Sequence, residues 1–238
     1  MDPIAFQIGN IVIRWYGIFY VLGFLFAYWV TPLLARNISK KDMQDFFLYL
    51  IPFSIIGGRL AYVILNWNYY SENLFQILFI WNGGMAFHGG LIGAVLAALY
   101  YCKKKNIYFY DLADVLVIPL AIGLALGRLG NYINGELYGK ITSLPWGVHF
   151  DGVEGLRHPS QIYESLKNLF IFFIVLRVYK LKKFRRGFVF WLFIFMYSFL
   201  RFFIEFIKDV ELYSGFTYGQ WISLPLGIIS LYMLNKLK

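Results

Sequence analysis

The 238-residue chain contains little cysteine and little charge. Its single cysteine, Cys102, cannot form an internal disulfide, and no Cys/His spacing typical of a metal site occurs. Charged residues make up 15% of the chain, against about 25% in soluble domains. Hydrophobic residues make up 60%, which is more than a soluble globule of this size can bury. These figures exclude a disulfide-rich secreted scaffold, a soluble enzyme and a disordered chain, and they indicate a membrane protein with several spans.

Positive charge exceeds negative charge, with 22 Lys and Arg against 13 Asp and Glu. In a soluble protein this excess would suggest nucleic acid as a partner. Here most of the charge lies in short loops between apolar runs, so we expect no nucleic-acid partner. The chain begins Met-Asp-Pro and has its first basic residue at Arg14, a pattern that does not fit a cleavable signal peptide.

Seven apolar runs are long enough to cross a bilayer, which requires about 20 helical residues. They are 16–36, 46–66, 85–102, 111–127, 161–179, 187–207 and 218–235. The shorter run 74–81 is expected at the membrane interface. The sequence therefore predicts an all-α membrane protein with seven transmembrane helices, a single domain over 1–238 and an external segment at 128–160.

The distribution of Lys and Arg among the loops predicts the orientation. The loops after spans one, three, five and seven contain 13 of these residues, and the opposite side contains five. Those five are Arg14, Arg128, Lys140, Arg157 and Lys208. Because cytoplasmic loops are enriched in Lys and Arg, we expect the N-terminus outside and the C-terminus in the cytoplasm.

Ionisable side chains within spans carry a large insertion cost, so each requires a partner or a function. At a rise of about 1.5 Å per residue, the predicted orientation places most of the polar groups within the spans in the outer half of the membrane. They are Tyr16, Arg59, His88, Arg128, Glu164, Arg201, Glu205 and Gln220. The sequence thus predicts one polar site near the outer leaflet.

Two features of this polar layer are open to more than one interpretation. Tyr197, Arg201 and Glu205 are four residues apart and share a helical face, which suits either a structural ion pair or direct ligand binding. His88 precedes Gly89 and Gly90, where a bare backbone permits close approach. It suits either a reactive role or a packed structural histidine.

The segment 127–139 combines four glycines with two Asn, one Arg and one Glu at the end of a predicted helix. Such a segment can present backbone amides, side-chain amides and a guanidinium to an anion, and arginine matches phosphate oxygens in a bidentate way. The alternative is an ordinary polar loop. The spacing of a soluble phosphate-binding loop is absent.

Six motifs make the chain resemble the prolipoprotein diacylglyceryl transferase family over essentially its whole length. One is the string Gly-Arg-x-Gly-Asn-x-x-Asn-x-Glu that starts at Gly127, and the others lie at 14–17, 57–59, 83–93, 157–164 and 201–206. The resemblance implies a bacterial cytoplasmic-membrane enzyme without cofactor or metal, with an active site near the outer leaflet. Phosphatidylglycerol is its implied diacylglyceryl donor. The implied acceptor is the lipobox cysteine of a prolipoprotein, and the products are a thioether and glycerol 1-phosphate.

The resemblance also implies a set of functional residues, which the chemistry sorts into roles. They are Tyr16, His88, Arg128, Asn131, Glu136, Arg201 and Glu205. Because the departing phosphate gains charge, cationic donors should contribute most, and we expect Arg128 and then Arg201 in that role. The nucleophile is the substrate's own thiol, which needs a base. His88 is the candidate base, and Tyr16 is expected to assist it.

Further residues are expected to position the lipid headgroup rather than react. The predicted headgroup-binding set is Arg59, Arg128, Asn131, Asn134, Glu136, Arg201 and Glu205. Two functions of other classes remain open: an anion or lipid transporter or channel, and a lipid-binding protein without catalysis. A conduit requires polar groups at all depths or an inverted repeat, and the sequence shows no such repeat.

Overall fold

The structure is a computed structural model that describes residues 2–9 and 11–238. Most of these residues are helical. The helices are α1 Trp15–Leu34, α2 Lys40–Leu65, α3 Trp67–Glu72, α4 Phe87–Lys105, α5 Phe109–Ile133, α6 Ser160–Leu181, α7 Phe188–Ile204 and α8 Tyr218–Leu237. Two antiparallel hairpins accompany them, formed by β1 Ile4–Ile8 with β2 Ile11–Arg14 and by β3 Leu212–Tyr213 with β4 Phe216–Thr217. The chain is thus a mostly helical protein.

Within the described residues, a long helix occupies each of the seven predicted segments. Four helical stretches are long and apolar enough to cross a membrane: α1, α2, α5 and Phe188–Ile207. The prediction of a helical membrane protein is therefore confirmed, whereas seven crossings and their orientation stay a prediction. One boundary was wrong, because α5 continues to Ile133 instead of ending at 127. Arg128 and Asn131 consequently lie on a helix and not in a loop.

The short apolar run 74–81 forms two 3-10 helices, Leu74–Leu78 and Ile80–Asn82. Its large side chains point away from the protein, with Phe75 81% and Trp81 74% exposed. An exposed apolar surface of this kind suits the predicted position at the membrane interface.

The chain divides into two compact units, and its organisation as a single domain stays a prediction. The first unit contains the chain up to Val30 together with Ala113–Lys238, and the second contains Thr31–Leu112. In the second unit, α2 and α4 run antiparallel, since Phe46 packs on Tyr101 at one end and Gly57 approaches Gly89 at the other.

Glycines let α2 and α4 of the second unit approach closely. A methyl group on Gly93 would overlap the carbonyl oxygen of Phe53, and one on Gly89 would overlap the carbonyl oxygen of Gly57. The small-residue spacing of Gly89 and Gly93 therefore serves helix packing.

In the first unit, side chains satisfy the free backbone amides at two helix starts. The carboxylate of Asp114 on α5 accepts hydrogen bonds from the amides of Gly187 and Phe190, both at 2.7 Å, where α7 begins. At the start of α8, Thr217 and Gln220 form a capping box. These contacts fix the starts of α7 and α8.

Gly93→Ala should lower the free energy of unfolding by about 1–3 kcal/mol, because a methyl group there forces the helices apart. Gly123→Ala is the matched control, since a methyl group on Gly123 would meet no atom within 4 Å. Denaturant unfolding in detergent measures both variants. If Gly93→Ala is as stable as Gly123→Ala, the close packing of α2 on α4 is not required.

Candidate active site

Glu164 is fully buried on α6 and lies at the centre of a group of charged side chains in the first unit. The charge cluster, as we call it, consists of Arg128, Glu164, Lys167, Arg201, Glu205 and Lys208. Oε2 of Glu164 lies 2.5 Å from Nζ of Lys167, and its Oε1 lies 2.7 Å from Nζ of Lys208. Two lysines thus share one buried carboxylate.

The second carboxylate of the cluster, Glu205, joins α7 to the start of α8. Its Oε1 lies 3.0 Å from Nζ of Lys208 and 3.2 Å from Nε of Arg201, and its Oε2 accepts a hydrogen bond from the hydroxyl of Thr217 at 2.9 Å. A methyl group on Gly219 would overlap this carboxylate. The glycine therefore lets the helix start approach Glu205.

The two arginines keep N–H groups that no described residue accepts. Arg128 donates one long hydrogen bond, 3.5 Å to Oδ1 of Asn131, and its Nη2 lies 3.9 Å from Glu164. Arg201 donates from Nη1 to the Tyr197 hydroxyl at 3.1 Å. Their side chains are 19% and 30% exposed, while both lysines are nearly inaccessible. Because the lysines occupy Glu164 and Arg201 uses only Nε toward Glu205, both arginines keep N–H groups that can bind an anion.

The glycine-rich segment forms a second hydrogen-bonded group beside Arg128. The carboxylate of Glu136 accepts hydrogen bonds from the side-chain amides of Asn131 at 3.2 Å and Asn134 at 2.9 Å. Tyr16 packs against α5 at Gly130, where a side chain would collide with its ring. Its hydroxyl lies 3.0 Å from the hydroxyl of Tyr20. Tyr16, Arg128, Asn131, Asn134, Glu136, Arg201 and Glu205 thus all belong to the first unit.

The segment that follows α5 holds Lys208 in the cluster. Gly139 and Lys208 form an antiparallel bridge, and the Lys140 amide donates to the carbonyl oxygen of Ile207 at 2.9 Å. Nearby, the guanidinium of Arg157 lies 2.7 Å from the carboxylate of Asp209. These contacts keep the chain after α7 in place, and Lys208 with it.

Arg59 and His88 belong to the second unit, where Arg59 on α2 is buried. The N–H groups of Arg59 donate to backbone carbonyl oxygens of the segment 76–84. These acceptors belong to Gln76, Ile77, Phe79, Gly83 and Gly84, at 2.5–3.4 Å. The N–H groups of Arg59 thus have acceptors within its own unit, and its predicted headgroup contact stays a prediction.

His88 is exposed in the first turn of α4, with its ring 5.7 Å from that of Phe87. No hydrogen bond from a described residue reaches its imidazole, which favours a reactive histidine over a packed one. Cys102 is buried near the other end of the same helix.

Sequence reasoning left three members of the charge cluster out of the predicted site. The sequence places Glu164 in the polar layer without a role and Lys208 in a loop, and Lys167 is absent from the predicted site. A usable signal existed, because Glu164 and Lys167, like Glu205 and Lys208, are three residues apart and therefore adjacent on a helix. The link from Lys208 to Glu164 depends on tertiary packing.

The chain matches the family described as prolipoprotein diacylglyceryl transferase over residues 3–235. A phosphatidylglycerol–prolipoprotein diacylglyceryl transferase of Geobacter sulfurreducens is 39% identical, with 98% of this chain and 94% of the relative covered. The protein of the same name from Finegoldia magna is 40% identical, with 100% and 96% covered. That from Methylobacillus flagellatus is 38% identical, with 98% and 95% covered.

Glu164→Gln should reduce the free energy of unfolding by about 3–5 kcal/mol, because it leaves the buried Lys167 without a counter-charge and Lys208 with Glu205 alone. Glu154→Gln, at an exposed position of the same unit, is the control and should have little effect. The double variant Glu164→Gln/Lys167→Met should lose less than the sum of the two single changes. Equal stability of Glu164→Gln and Glu154→Gln would contradict the central role of this carboxylate.

Proposed function

The chain belongs to the prolipoprotein diacylglyceryl transferase family and is a membrane-embedded transferase, and we propose a division of roles among its residues. The substrates named for its relatives are phosphatidylglycerol and a prolipoprotein. In the proposed reaction the diacylglyceryl group of phosphatidylglycerol passes to the thiol of the lipobox cysteine. A thioether forms and glycerol 1-phosphate is released. No observation favours a transporter or a channel.

The phosphate-binding role is supported above all by one observation: the two arginines of the charge cluster have free N–H groups. Arg128 has one long hydrogen bond and Arg201 has one hydrogen bond and one ion pair, so both can donate to phosphate oxygens. As the bond between the glyceryl carbon and the ester oxygen breaks, its electron pair moves to the phosphate. Preorganised cations stabilise this charge where water is scarce.

The thiol of the substrate supplies the nucleophile, which agrees with the buried position of Cys102. A thiol with a pKa of about 8.5 is mostly protonated at neutral pH, so its proton must be removed as sulfur attacks. His88 is our candidate for this base, supported by its exposed imidazole, which no described residue hydrogen-bonds. Tyr16 is proposed to assist by hydrogen bonding.

Asn131, Asn134 and Glu136 are proposed to position the headgroup and Arg128. Their mutual hydrogen bonds fix the end of α5, and the amide of Gln161 on α6 donates to the carbonyl oxygen of Glu136 at 2.7 Å. Glu205 is proposed to orient Arg201 through their 3.2 Å ion pair.

For the membrane arrangement we propose seven crossings, with the N-terminus outside and the C-terminus in the cytoplasm. The support is the excess of Lys and Arg in alternate loops and the helix at each predicted span. The protein then lies in the bacterial cytoplasmic membrane with its reactive groups near the outer leaflet.

Arg128→Ala should reduce diacylglyceryl transfer by about a hundredfold to a thousandfold, as expected for loss of a donor to developing charge. The assay mixes purified protein with phosphatidylglycerol and a lipobox peptide and scores the mass of the modified peptide. Arg177→Ala, an exposed arginine on α6, is the matched control and should retain transfer. Near-normal turnover of Arg128→Ala would reject the phosphate role, and absence of transfer by the unmodified protein would reject the proposed function.

Single cysteines introduced into a Cys102→Ser background test the topology. A membrane-impermeant thiol reagent should label Asp151→Cys in intact spheroplasts and should label Lys183→Cys only after lysis. Both positions are exposed, so access to the reagent depends on the side of the membrane. The reverse labelling pattern would overturn the orientation.

A further inference from the structure

The charge cluster contains more positive than negative charge. Four cationic side chains surround two carboxylates, so its formal charge is +2 when all six groups are ionised. Four of these six charges are buried and the two arginines are partly exposed, which makes an uncompensated surplus unfavourable. Glu136, the carboxylate of the hydrogen-bonded group beside Arg128, contacts Asn131 and Asn134 rather than a cation. The cluster is therefore complete only when an anion binds to its exposed arginines.

The amount of surplus charge distinguishes between two kinds of phosphate. A phosphodiester such as phosphatidylglycerol carries one negative charge and compensates half of the surplus. A phosphate monoester approaches two negative charges above its second pKa of about 6. Only the monoester can neutralise the cluster completely.

We propose that the charge cluster is matched to a phosphate monoester dianion, and that Lys167 is the positioning residue that creates this match. The proposal rests on the proposed function, in which a diester enters the reaction and a monoester leaves. As the thiolate sulfur bonds to the glyceryl carbon, the carbon–oxygen bond breaks and its electron pair gives the phosphate its second negative charge. The cluster therefore stabilises the departing group more than the bound lipid, which accelerates the chemical step.

The contacts of Lys167 explain why this side chain determines the surplus. Its ammonium group lies 2.5 Å from Oε2 of Glu164 and 3.9 Å from the centre of the Tyr197 ring, so it is held between α6 and α7. Arg128 lies 3.9 Å from the other oxygen of the same carboxylate. Without Lys167, Glu164 has a free oxygen that attracts Arg128, and the charge available to the substrate falls from +2 to +1.

Direct binding of two small ligands to the purified full chain tests the proposal independently of transfer. The probes are glycerol 1-phosphate and its phosphate methyl ester, which differ by one charge at about pH 8. The unmodified protein should bind the dianion about tenfold more tightly than the monoanion, because each charge contributes separately in a buried site.

Lys167→Met should abolish this preference, whereas Lys167→Arg should retain it. Lys180→Met, an exposed lysine on the same helix, is the matched control and should behave like the unmodified protein. In the transfer assay, Lys167→Met should lower kcat about tenfold and change KM for phosphatidylglycerol by less than about threefold, since the lost interaction is strongest as the phosphate departs.

Three results would overturn the proposal. They are equal binding of the two probes by the unmodified protein, an unchanged preference in Lys167→Met, and loss of the preference in Lys180→Met. If Lys167→Met does not fold, the proposal is tested by comparing the two probes on the unmodified protein and on Lys167→Arg. Both proteins must then prefer the dianion. If the unmodified protein prefers the dianion but transfers no diacylglyceryl group, the proposed function fails while the charge match stands.

Discussion

The arrangement of the first unit depends on the pairing of one buried carboxylate, Glu164, with two lysines. Lys167 approaches it from the same helix, while Lys208 reaches it from the chain after α7. A buried ion pair is a weak source of stability when compared with apolar packing, but breaking one is costly. We infer that this pairing is kept for its effect on the arginines. With the oxygens of Glu164 occupied by lysines, Arg128 keeps N–H groups for a phosphate, and Arg201, paired with Glu205 through Nε, keeps those of Nη2.

The helices could be predicted well because their signal is local. Each of the seven apolar runs contains a helix, and the spacing of Tyr197, Arg201 and Glu205 correctly indicated a shared face. The end of α5 was missed by six residues because its last turns are glycine-rich and polar, which is typical of a loop. Gly130 is used instead for close packing against Tyr16. The composition of a segment does not reveal whether a glycine ends a helix or makes room for a neighbour.

The parts of the site that escaped prediction depend on tertiary contacts. Lys208 looks like an ordinary loop residue in the sequence, and only the bridge at Gly139 shows how it reaches the interior. Arg59 looks like a headgroup ligand, because a cation within a span usually requires an anion. Its partners are carbonyl oxygens of the 76–84 segment, and backbone partners leave no pattern in the amino-acid sequence.

That use of carbonyl oxygens has a consequence for how the protein can diverge. Every amino acid offers the same carbonyl group, so the hold of Arg59 on the 76–84 segment does not depend on the identity of its side chains. Leu78, Ile80 and Trp81, which are exposed, can be exchanged for other residues without loosening the segment. The anchoring of the segment is therefore independent of the chemistry of its exposed side chains. At the predicted membrane interface, those side chains can change to suit bilayers of different lipid content, while Arg59 holds the backbone in the same position.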